Sequence, residues 1–294
     1  MFEKFRVNLI FNRLLGRPDI DKAYAMVGPE DAWYDTITKV HNSLATIRQL
    51  PCKDLNITSH DGLNLKGVYY PCDSKKTMIW VHGYTSHAER ESAFPALFYR
   101  SLGFNVLIPY LRAHGPSEGK YISFGAMEYL DMQRWVDKIN EMIPDGQILL
   151  HGLSMGGGIV LDLASVQLKN VKCLVIDAPS DSIDGFLRGV TSYRFKKNAN
   201  KAYSLMHDRF VKEFGAEPAE FDRKKTICTC RYPVLLSAGS NEKCEELFEL
   251  LKNKNPCATD AIILPGCNHG NGMYKQTQLY QNAIRDFINR YMEN

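Results

Sequence analysis

The strongest structural signal in this sequence is a glycine-rich octapeptide, His151-Gly152-Leu153-Ser154-Met155-Gly156-Gly157-Gly158. It contains the pattern G-x-S-x-G, and it lies between an apolar stretch that predicts a strand and one that predicts a helix. A serine in such a tight turn needs small residues two positions before and after it, and Gly152 and Gly156 provide them. The following helix directs its amino end at the serine, which favours developing negative charge. The octapeptide therefore predicts that Ser154 is a nucleophile.

Short apolar stretches alternate with helical patterns on both sides of this octapeptide. We predict strands at 78–81, 104–108, 147–150, 173–176, 234–236 and 261–264, and helices at 91–102, 124–143, from 155, 242–253 and 274–292. Asp61-Gly62 separates two earlier strand patterns and predicts a hairpin. Alternation of this kind is typical of an α/β fold with a mostly parallel central sheet that helices cover on both faces.

Two stretches lie outside this alternation. Residues 182–230 are polar, basic and aromatic with no buried strand, which predicts a short helical cap over the carboxyl edge of the sheet. Helical patterns also precede the first strand, and one of them carries an apolar residue every three or four positions. These residues are Trp33, Ile37, Val40, Leu44 and Ile47. The chain therefore divides into an N-terminal helical extension at 1–50 and a domain at 51–294 that contains the cap.

Composition excludes several classes of protein. The 294 residues include 36 basic and 33 acidic side chains, a net charge of +3 that argues against a nucleic-acid partner. No apolar run approaches the ~18 residues of an integral membrane span. The first fifteen residues lack the uninterrupted apolar segment and cleavage site of a signal peptide. Eight scattered cysteines without ligand spacing are typical of a reducing cytosol, so we expect a cytoplasmic protein without a metal site.

The N-terminal residues themselves predict an amphipathic helix that ends near Gly16 and Pro18. Its apolar face favours docking on the core of the same chain or on a second copy in a homodimer. A membrane-surface role is the weaker interpretation, because the basic face of the helix is thin.

A nucleophilic serine requires a base, and His269 follows the last predicted strand. Its loop lies at the carboxyl edge of the sheet, where Ser154 is also expected. An oxyanion requires two backbone N–H donors. We expect one from Met155, directly after the serine, and one from Tyr84, in the loop after the strand at 78–81. His82 in that loop is interpreted as a structural residue.

Four motifs resemble the α/β-hydrolase family, in particular its carboxylesterase, monoglyceride-lipase and serine-aminopeptidase-like branch. They are His82-Gly83-Tyr84, Arg112-Ala113-His114-Gly115-Pro116-Ser117, Gly152-Leu153-Ser154-Met155-Gly156 and Gly266-Cys267-Asn268-His269-Gly270. The resemblance extends over residues 55–294. It implies a serine hydrolase that needs no cofactor and cleaves a carboxylic ester or related acyl bond of a small molecule through an acyl-enzyme. A peptidase or thioesterase on the same fold, and a non-catalytic binding protein on a hydrolase scaffold, are the competing interpretations.

The acid of the expected Ser–His–acid triad is where the sequence departs from the family's pattern. The family places Asp three residues after a glycine that follows the penultimate strand, and here Glu242 stands three residues after Gly239. We expect Glu242 to be the acid. The competing candidates are Asp177, Asp181, Asp184 and Glu245. In the cap, Phe186 and Tyr193 are the candidates for lining the substrate pocket.

Overall fold

The computed structural model describes residues 2–20, 30, 33–242 and 244–292. The strands in this part of the chain are β1 (Lys53–Thr58), β2 (Asn64–Tyr70), β3 (Lys76–Val81), β4 (Asn105–Pro109), β5 (Gln147–Leu153), β6 (Val171–Asp177), β7 (Val234–Gly239) and β8 (Thr259–Leu264). The helices are α1 (Phe2–Leu15), α2 (Tyr34–Ile47), α3 (Ala88–Ser101), α4 (Glu128–Met142), α5 (Met155–Leu163), α6 (Ile183–Phe195), α7 (Ala199–Phe214), α8 (Arg223–Ile227), α9 (Glu245–Lys254), α10 (Gly272–Lys275) and α11 (Thr277–Tyr291).

The strands form one sheet in the order β1-β2-β4-β3-β5-β6-β7-β8. β1 and β2 form the predicted hairpin, and β2 also runs antiparallel to β4. From β4 to β8 every neighbouring pair is parallel. The predicted mostly parallel sheet is therefore confirmed, and the carboxyl ends of its parallel strands meet at one edge.

Alternate side chains of the strands β2 to β7 enter two separate core layers, as the period of two in a strand requires. In β3, for example, Ile79 and Val81 enter one layer while Met78 and Trp80 enter the other. The first layer also contains buried side chains of α1, α4, α5 and the helices between β6 and β7. The second contains those of α2, α3, α10 and α11. Helices thus cover both faces of the sheet.

Two predicted helices begin or continue differently in the structure. The helix predicted at 124–143 starts only at Glu128, because Phe124 and Gly125 have φ angles of +60° and +124°, outside the helical region. The Glu128 carboxylate accepts hydrogen bonds from the backbone N–H of Ser123 and of Gly125, both at 2.8 Å, and so holds this turn. The helix predicted at 274–292 is divided into α10 and α11 at Gln276.

The segment between β6 and β7 forms the helices α6, α7 and α8. Ser182 caps α6 by accepting a hydrogen bond from the Gly185 N–H at 3.0 Å. Cap residues of this type begin helices because the first N–H groups have no partner within the helix. The segment that we expect to cover the sheet edge is thus helical.

Both N-terminal helices lie on the same chain as the sheet. Val7, Phe11 and Leu15 of α1 are buried in the first core layer. Val40, Leu44 and Ile47 of α2 are buried in the second layer; Trp33, which precedes α2, is 38% exposed and lies outside the buried stripe. Docking of α1 on its own core is therefore observed, while the homodimer stays a prediction. No helix of the described residues is long and apolar enough to cross a membrane.

Candidate active site

Ser154 occupies a sharp turn between the end of β5 and the start of α5. Its φ and ψ angles are +58° and −115°, a strained conformation for a residue other than glycine. The turn requires close backbone approaches: a Cβ on Gly156 would lie 1.9 Å from the Val81 carbonyl oxygen, and one on Gly152 would lie 2.3 Å from the Gly156 carbonyl oxygen. The two glycines of the motif are therefore sterically required. The turn projects the Ser154 hydroxyl beyond the edge of the sheet.

His269 lies in the loop after β8 and meets this hydroxyl. Its Nε2 is 2.8 Å from Ser154 Oγ, and its Nδ1 is 2.6 Å from the Glu242 carboxylate. Because a carboxylate only accepts, Nδ1 carries the proton and Nε2 accepts from the serine hydroxyl. The hydrogen bond that His269 donates to Glu242 raises the pKa of His269 above its usual value, and burial opposes this shift. The structure thus brings together the serine, histidine and glutamate that the sequence predicted.

Glu242 is itself held by the turn that follows β7. Its Oε1 accepts the Gly239 N–H at 2.7 Å, and its own N–H donates to the Gly239 carbonyl oxygen at 3.0 Å. The side chain is 11% exposed, whereas that of His269 is 57% exposed. The carboxylate is consequently fixed on one side by the backbone, with the other oxygen left for the imidazole.

Asp177, a competing candidate for the acid, belongs to a different buried network. It accepts hydrogen bonds from Ser237 and from the Tyr280 hydroxyl, and its Oδ2 lies 2.9 Å from His151 Nε2. Its carbonyl oxygen accepts the Ser154 N–H at 2.8 Å. Asp177 therefore supports the turn that carries the serine, and its carboxylate is directed at His151.

Asp184 and Asp181 also lie apart from the imidazole. Asp184 accepts hydrogen bonds from Tyr203 and, at 2.6 Å, from Arg188. Asp181 is exposed and lines the cavity beside the serine. Among the described hydrogen bonds, none joins either carboxylate to His269. The side chain of Glu245 lies outside the described residues.

The loop after β3 carries the Tyr84 amide and is held by His82. The ring Nε2 of His82 accepts the Leu111 N–H at 3.1 Å, so Nδ1 carries the proton and donates to the Gly83 carbonyl oxygen at 2.9 Å. Burial lowers the pKa of His82 well below its usual value, which keeps the ring neutral. The Tyr84 N–H belongs to the same planar peptide unit as the Gly83 C=O and points the opposite way. Met155, the other expected donor, is the first residue of α5, where N–H groups lack helical partners.

A cavity of about 830 Å³ opens beside Ser154, within the range typical of small-molecule sites. Its lining includes Phe124, Ser180, Asp181, Phe186 and Lys224. The rings of Phe124 and Phe186 stack with their centroids 4.0 Å apart, and the Tyr84 ring lies 5.2 Å from that of Phe124. The cavity thus has an aromatic wall and a charged rim next to the serine hydroxyl.

Residues 76–248, more than half of the chain, match the family model of the alpha/beta hydrolase fold. The protein belongs to the α/β-hydrolase fold family. It is 27% identical over 261 residues to the uncharacterized protein YqkD of Bacillus subtilis, covering 84% of this chain and 83% of that protein. The expected family and fold class are confirmed.

Two solved structures show how far the likeness extends. The esterase Pf2001 of Pyrococcus furiosus is 28% identical, with a TM-score of 0.67 over 84% of this chain and 94% of the esterase. An alpha-beta hydrolase of Vibrio vulnificus is 18% identical, with a TM-score of 0.63 over 97% of this chain and 93% of that one. The second comparison shows a common fold only.

The two pocket residues predicted in the segment 182–230 of this α/β-hydrolase lie in different places. Phe186 lines the cavity, but Tyr193 is 76% exposed and does not. Tyr193 follows Phe186 by two helical turns, a rise of about 10 Å along α6, which carries it past the cavity. The aromatic content of this segment predicted that it lines a pocket, but it did not indicate which part of the helix borders the cavity.

Arg223, which sequence reasoning missed, joins the segment between β6 and β7 to the rest of the α/β-hydrolase fold. It is fully buried at the start of α8, and its guanidinium pairs with Asp162 of α5 at 2.9 Å. It also donates to the Phe124 carbonyl oxygen at 2.8 Å and to Ser180 Oγ at 3.1 Å. A Cβ on Gly158 would lie 2.8 Å from its Cζ, so the last glycine of the octapeptide is the local signal for this contact.

Proposed function

We propose that this α/β-hydrolase is a serine esterase that cleaves carboxylic esters of small molecules (EC 3.1.1) through a Ser154–His269–Glu242 triad. The observation that carries the proposal is the continuous hydrogen-bonded series from Glu242 through His269 to Ser154, at 2.6 and 2.8 Å, beside an open cavity. The esterase named among the similar structures supports the choice of ester over other acyl bonds. We further propose that residues 51–294 are the catalytic domain, that 182–230 are its cap, and that 1–50 are an extension.

The reaction follows from the geometry of the three side chains. His269 Nε2 takes the proton of the Ser154 hydroxyl as its oxygen attacks the ester carbonyl. Glu242 holds the imidazole in the tautomer with a free Nε2 and stabilises the imidazolium that forms. The backbone N–H groups of Met155 and Tyr84 donate to the oxyanion. His269 then protonates the leaving alcohol, and a water molecule activated by the same ring releases the acid from the acyl-enzyme.

The cavity lining favours short acyl chains. Asp181, Asp184, Asp222, Lys224 and Lys225 line it together with its aromatic wall. A long alkyl chain placed against these groups would take charged side chains out of water, which is costly. Short-chain p-nitrophenyl esters are therefore the substrates with which to test the proposal.

The decisive experiment compares the wild type with Ser154→Ala and with Ser204→Ala, an exposed serine on α7 that serves as the matched control. We expect turnover of p-nitrophenyl acetate by the wild type and the control, and a loss of at least about 10³-fold in kcat for Ser154→Ala. A fluorophosphonate probe should label the wild type and the control and leave Ser154→Ala unlabelled. A wild type that neither turns over any ester nor reacts with the probe would point to a binding protein on this scaffold, and the proposal would be wrong.

A further inference from the structure

Glu91 is a buried carboxylate that the proposed reaction does not use. It lies in the first turn of α3, with the whole residue 8% exposed. Burial raises its pKa to about 7, although neighbouring hydrogen-bond donors and the charge of His269 oppose the shift. A buried carboxylate is costly unless hydrogen bonds compensate it, so its partners indicate what it does.

The partners of Glu91 are at the end of β3 and in the loop that follows it. Oε1 accepts hydrogen bonds from the Trp80 indole N–H and from the Gly83 N–H, both at 3.0 Å. Oε2 lies 3.1 Å from the same Gly83 nitrogen. The site of the proposed reaction is adjacent, because a Cβ on Gly83 would lie 3.6 Å from Ser154 Cβ. Glu91 therefore ties the loop to the fixed core at a point beside the nucleophile.

The orientation of the Tyr84 amide follows from the two peptide units that meet at Gly83. Glu91 holds the N–H of the first unit, and His82 holds the C=O of the second. The second unit contains the Tyr84 N–H, and a planar trans unit directs its N–H opposite to its C=O. With both units held, this N–H cannot rotate away without breaking a buried hydrogen bond. An oxyanion donor that is already oriented costs no reorganisation during the reaction.

We propose that Glu91 is a positioning residue that fixes the direction of the Tyr84 oxyanion amide by accepting the Gly83 N–H. This inference rests on the proposed esterase function, since it assigns the Tyr84 amide to the oxyanion. Glu91 acts as a hydrogen-bond acceptor at a fixed distance. Its hydrogen bond with the Gly83 N–H should therefore persist when the charge is removed and be lost when the side chain is shortened.

Three variants separate these properties. Glu91→Gln keeps an acceptor oxygen at the same reach, Glu91→Asp keeps the charge on a shorter side chain, and Glu91→Leu removes the acceptor. Glu89→Leu is the matched control: this carboxylate is on the same helix and accepts a hydrogen bond from Tyr110 at 2.8 Å, away from the loop. We expect Glu91→Leu and Glu91→Asp to lower kcat by about 10- to 100-fold, a part of the cost of losing an entire oxyanion donor, with KM within about threefold. Glu91→Gln and Glu89→Leu should stay within about threefold of the wild-type kcat.

A second measurement does not depend on turnover. Amide hydrogen exchange of a peptide covering residues 82–86 should be about tenfold faster in Glu91→Asp than in the wild type, because the Gly83 N–H loses its acceptor, and unchanged in Glu91→Gln. If the wild type has no esterase activity but this exchange pattern is found, the proposed function fails while the hold on the loop stands. Wild-type kcat and wild-type exchange in Glu91→Asp would overturn the inference, even if Glu91→Leu does not fold. Loss of kcat in Glu91→Gln together with wild-type kcat in Glu91→Asp would also overturn it, because charge would then be the property that matters.

Discussion

At the scale of single residues, a glutamate takes the position where the resembled family has an aspartate. The extra methylene of Glu242 is accommodated because its own turn folds back: the side chain and backbone of Glu242 both bind Gly239, at 2.7 and 3.0 Å. The turn thus fixes the longer side chain in position, and one carboxylate oxygen of Glu242 is presented to His269. This explains how a glutamate can orient the imidazole as an aspartate does.

Replacing Glu242 by glutamine tests this role through pH dependence. The Glu242 hydrogen bond raises the pKa of His269, and the base must be neutral to accept the serine proton. The acid limb of kcat/KM should therefore have its midpoint above 6.5 in the wild type. In Glu242→Gln the midpoint should move to lower pH, and kcat should fall by about 10²- to 10⁴-fold. The measurement is the pH profile of p-nitrophenyl ester hydrolysis.

Asp184→Asn is the control for this substitution. Asp184 is a carboxylate that also lies close to Ser154, since it lines the same cavity, and it accepts hydrogen bonds from Arg188 and Tyr203. Its loss should leave the midpoint of the profile where it is. A shifted pH profile in Asp184→Asn together with an unchanged profile in Glu242→Gln would contradict the assignment of Glu242. It would indicate that the acid of the triad lies in the segment after β6.

Local patterns predicted Ser154 and His269, because each follows the end of a strand, and the resemblance to the family predicted Glu242 by its offset from Gly239. They did not predict Glu91 or Arg223, whose partners lie in other elements. Glu91 lies in the first turn of a helix, where acidic residues are common for their effect on the helix dipole. Nothing local distinguishes such a residue from one buried against a loop, since the distinction depends on how α3 packs against β3.

At the scale of elements, Arg223 and Asp162 join α8 to α5. Both side chains are buried, at 0% and 5% exposure, and the pair is 2.9 Å apart. Burial raises the pKa of Asp162, and the neighbouring Arg223 opposes that shift. The ion pair therefore compensates a carboxylate that would otherwise be buried alone behind the cavity.

Removing Arg223 should strongly destabilise the protein. Breaking one partner of a buried pair costs about 3–5 kcal/mol, because the remaining charge is uncompensated. In Arg223→Ala we expect the pKa of Asp162 to rise further above its unfolded value. A carboxyl whose folded pKa is raised loses stability as pH increases through that pKa, so the penalty should be larger at pH 8 than at pH 5. Urea denaturation at both pH values measures it.

Lys224→Ala is the matched control on the adjacent residue. Lys224 pairs with Glu246 at 2.5 Å, but its side chain is 32% exposed and that of Glu246 is 71% exposed. An exposed pair contributes about 1 kcal/mol or less, so this variant should unfold close to the wild type at both pH values. An Arg223→Ala variant as stable as Lys224→Ala would contradict the stabilising role of the buried pair.

The period of the apolar residues predicted both N-terminal helices, but the burial of α1 depends on tertiary contacts. Phe11 is fully buried, while Phe5 of the same helix is 66% exposed. The Arg209 guanidinium of α7 lies 4.2 Å from the Phe11 ring centroid, and the Tyr84 hydroxyl donates to the Leu14 carbonyl oxygen. These partners are some 70 to 200 positions away in the chain. The sequence pattern alone did not decide between the core of the same chain and a second copy.

At the scale of the whole molecule, the candidate site depends on the sheet as a single unit. Ser154 and His269 are 115 residues apart and come from the ends of β5 and β8. The strands between them are parallel and have buried side chains on both faces. A parallel sheet of this kind is stable only when both faces are covered. Losing one core layer would therefore expose one face of every central strand.

We accordingly predict that both core layers unfold in one transition. The tryptophans allow a direct test, because Trp135 is fully buried in the first layer and Trp80 in the second. In a Trp33→Phe background, Trp80→Phe leaves a reporter of the first layer and Trp135→Phe leaves a reporter of the second.

Within each of these variants, the urea midpoint from tryptophan fluorescence should agree with the midpoint from far-ultraviolet circular dichroism to within about 0.2 M. Comparing two probes in the same variant removes the destabilisation that the substitution itself causes. Chains of this size often unfold through intermediates, so agreement between the two midpoints is not the default expectation and tests the prediction strictly. If the fluorescence of one layer changed well before the helical signal while the other coincided with it, the first layer would unfold separately, and the sheet would not couple the two.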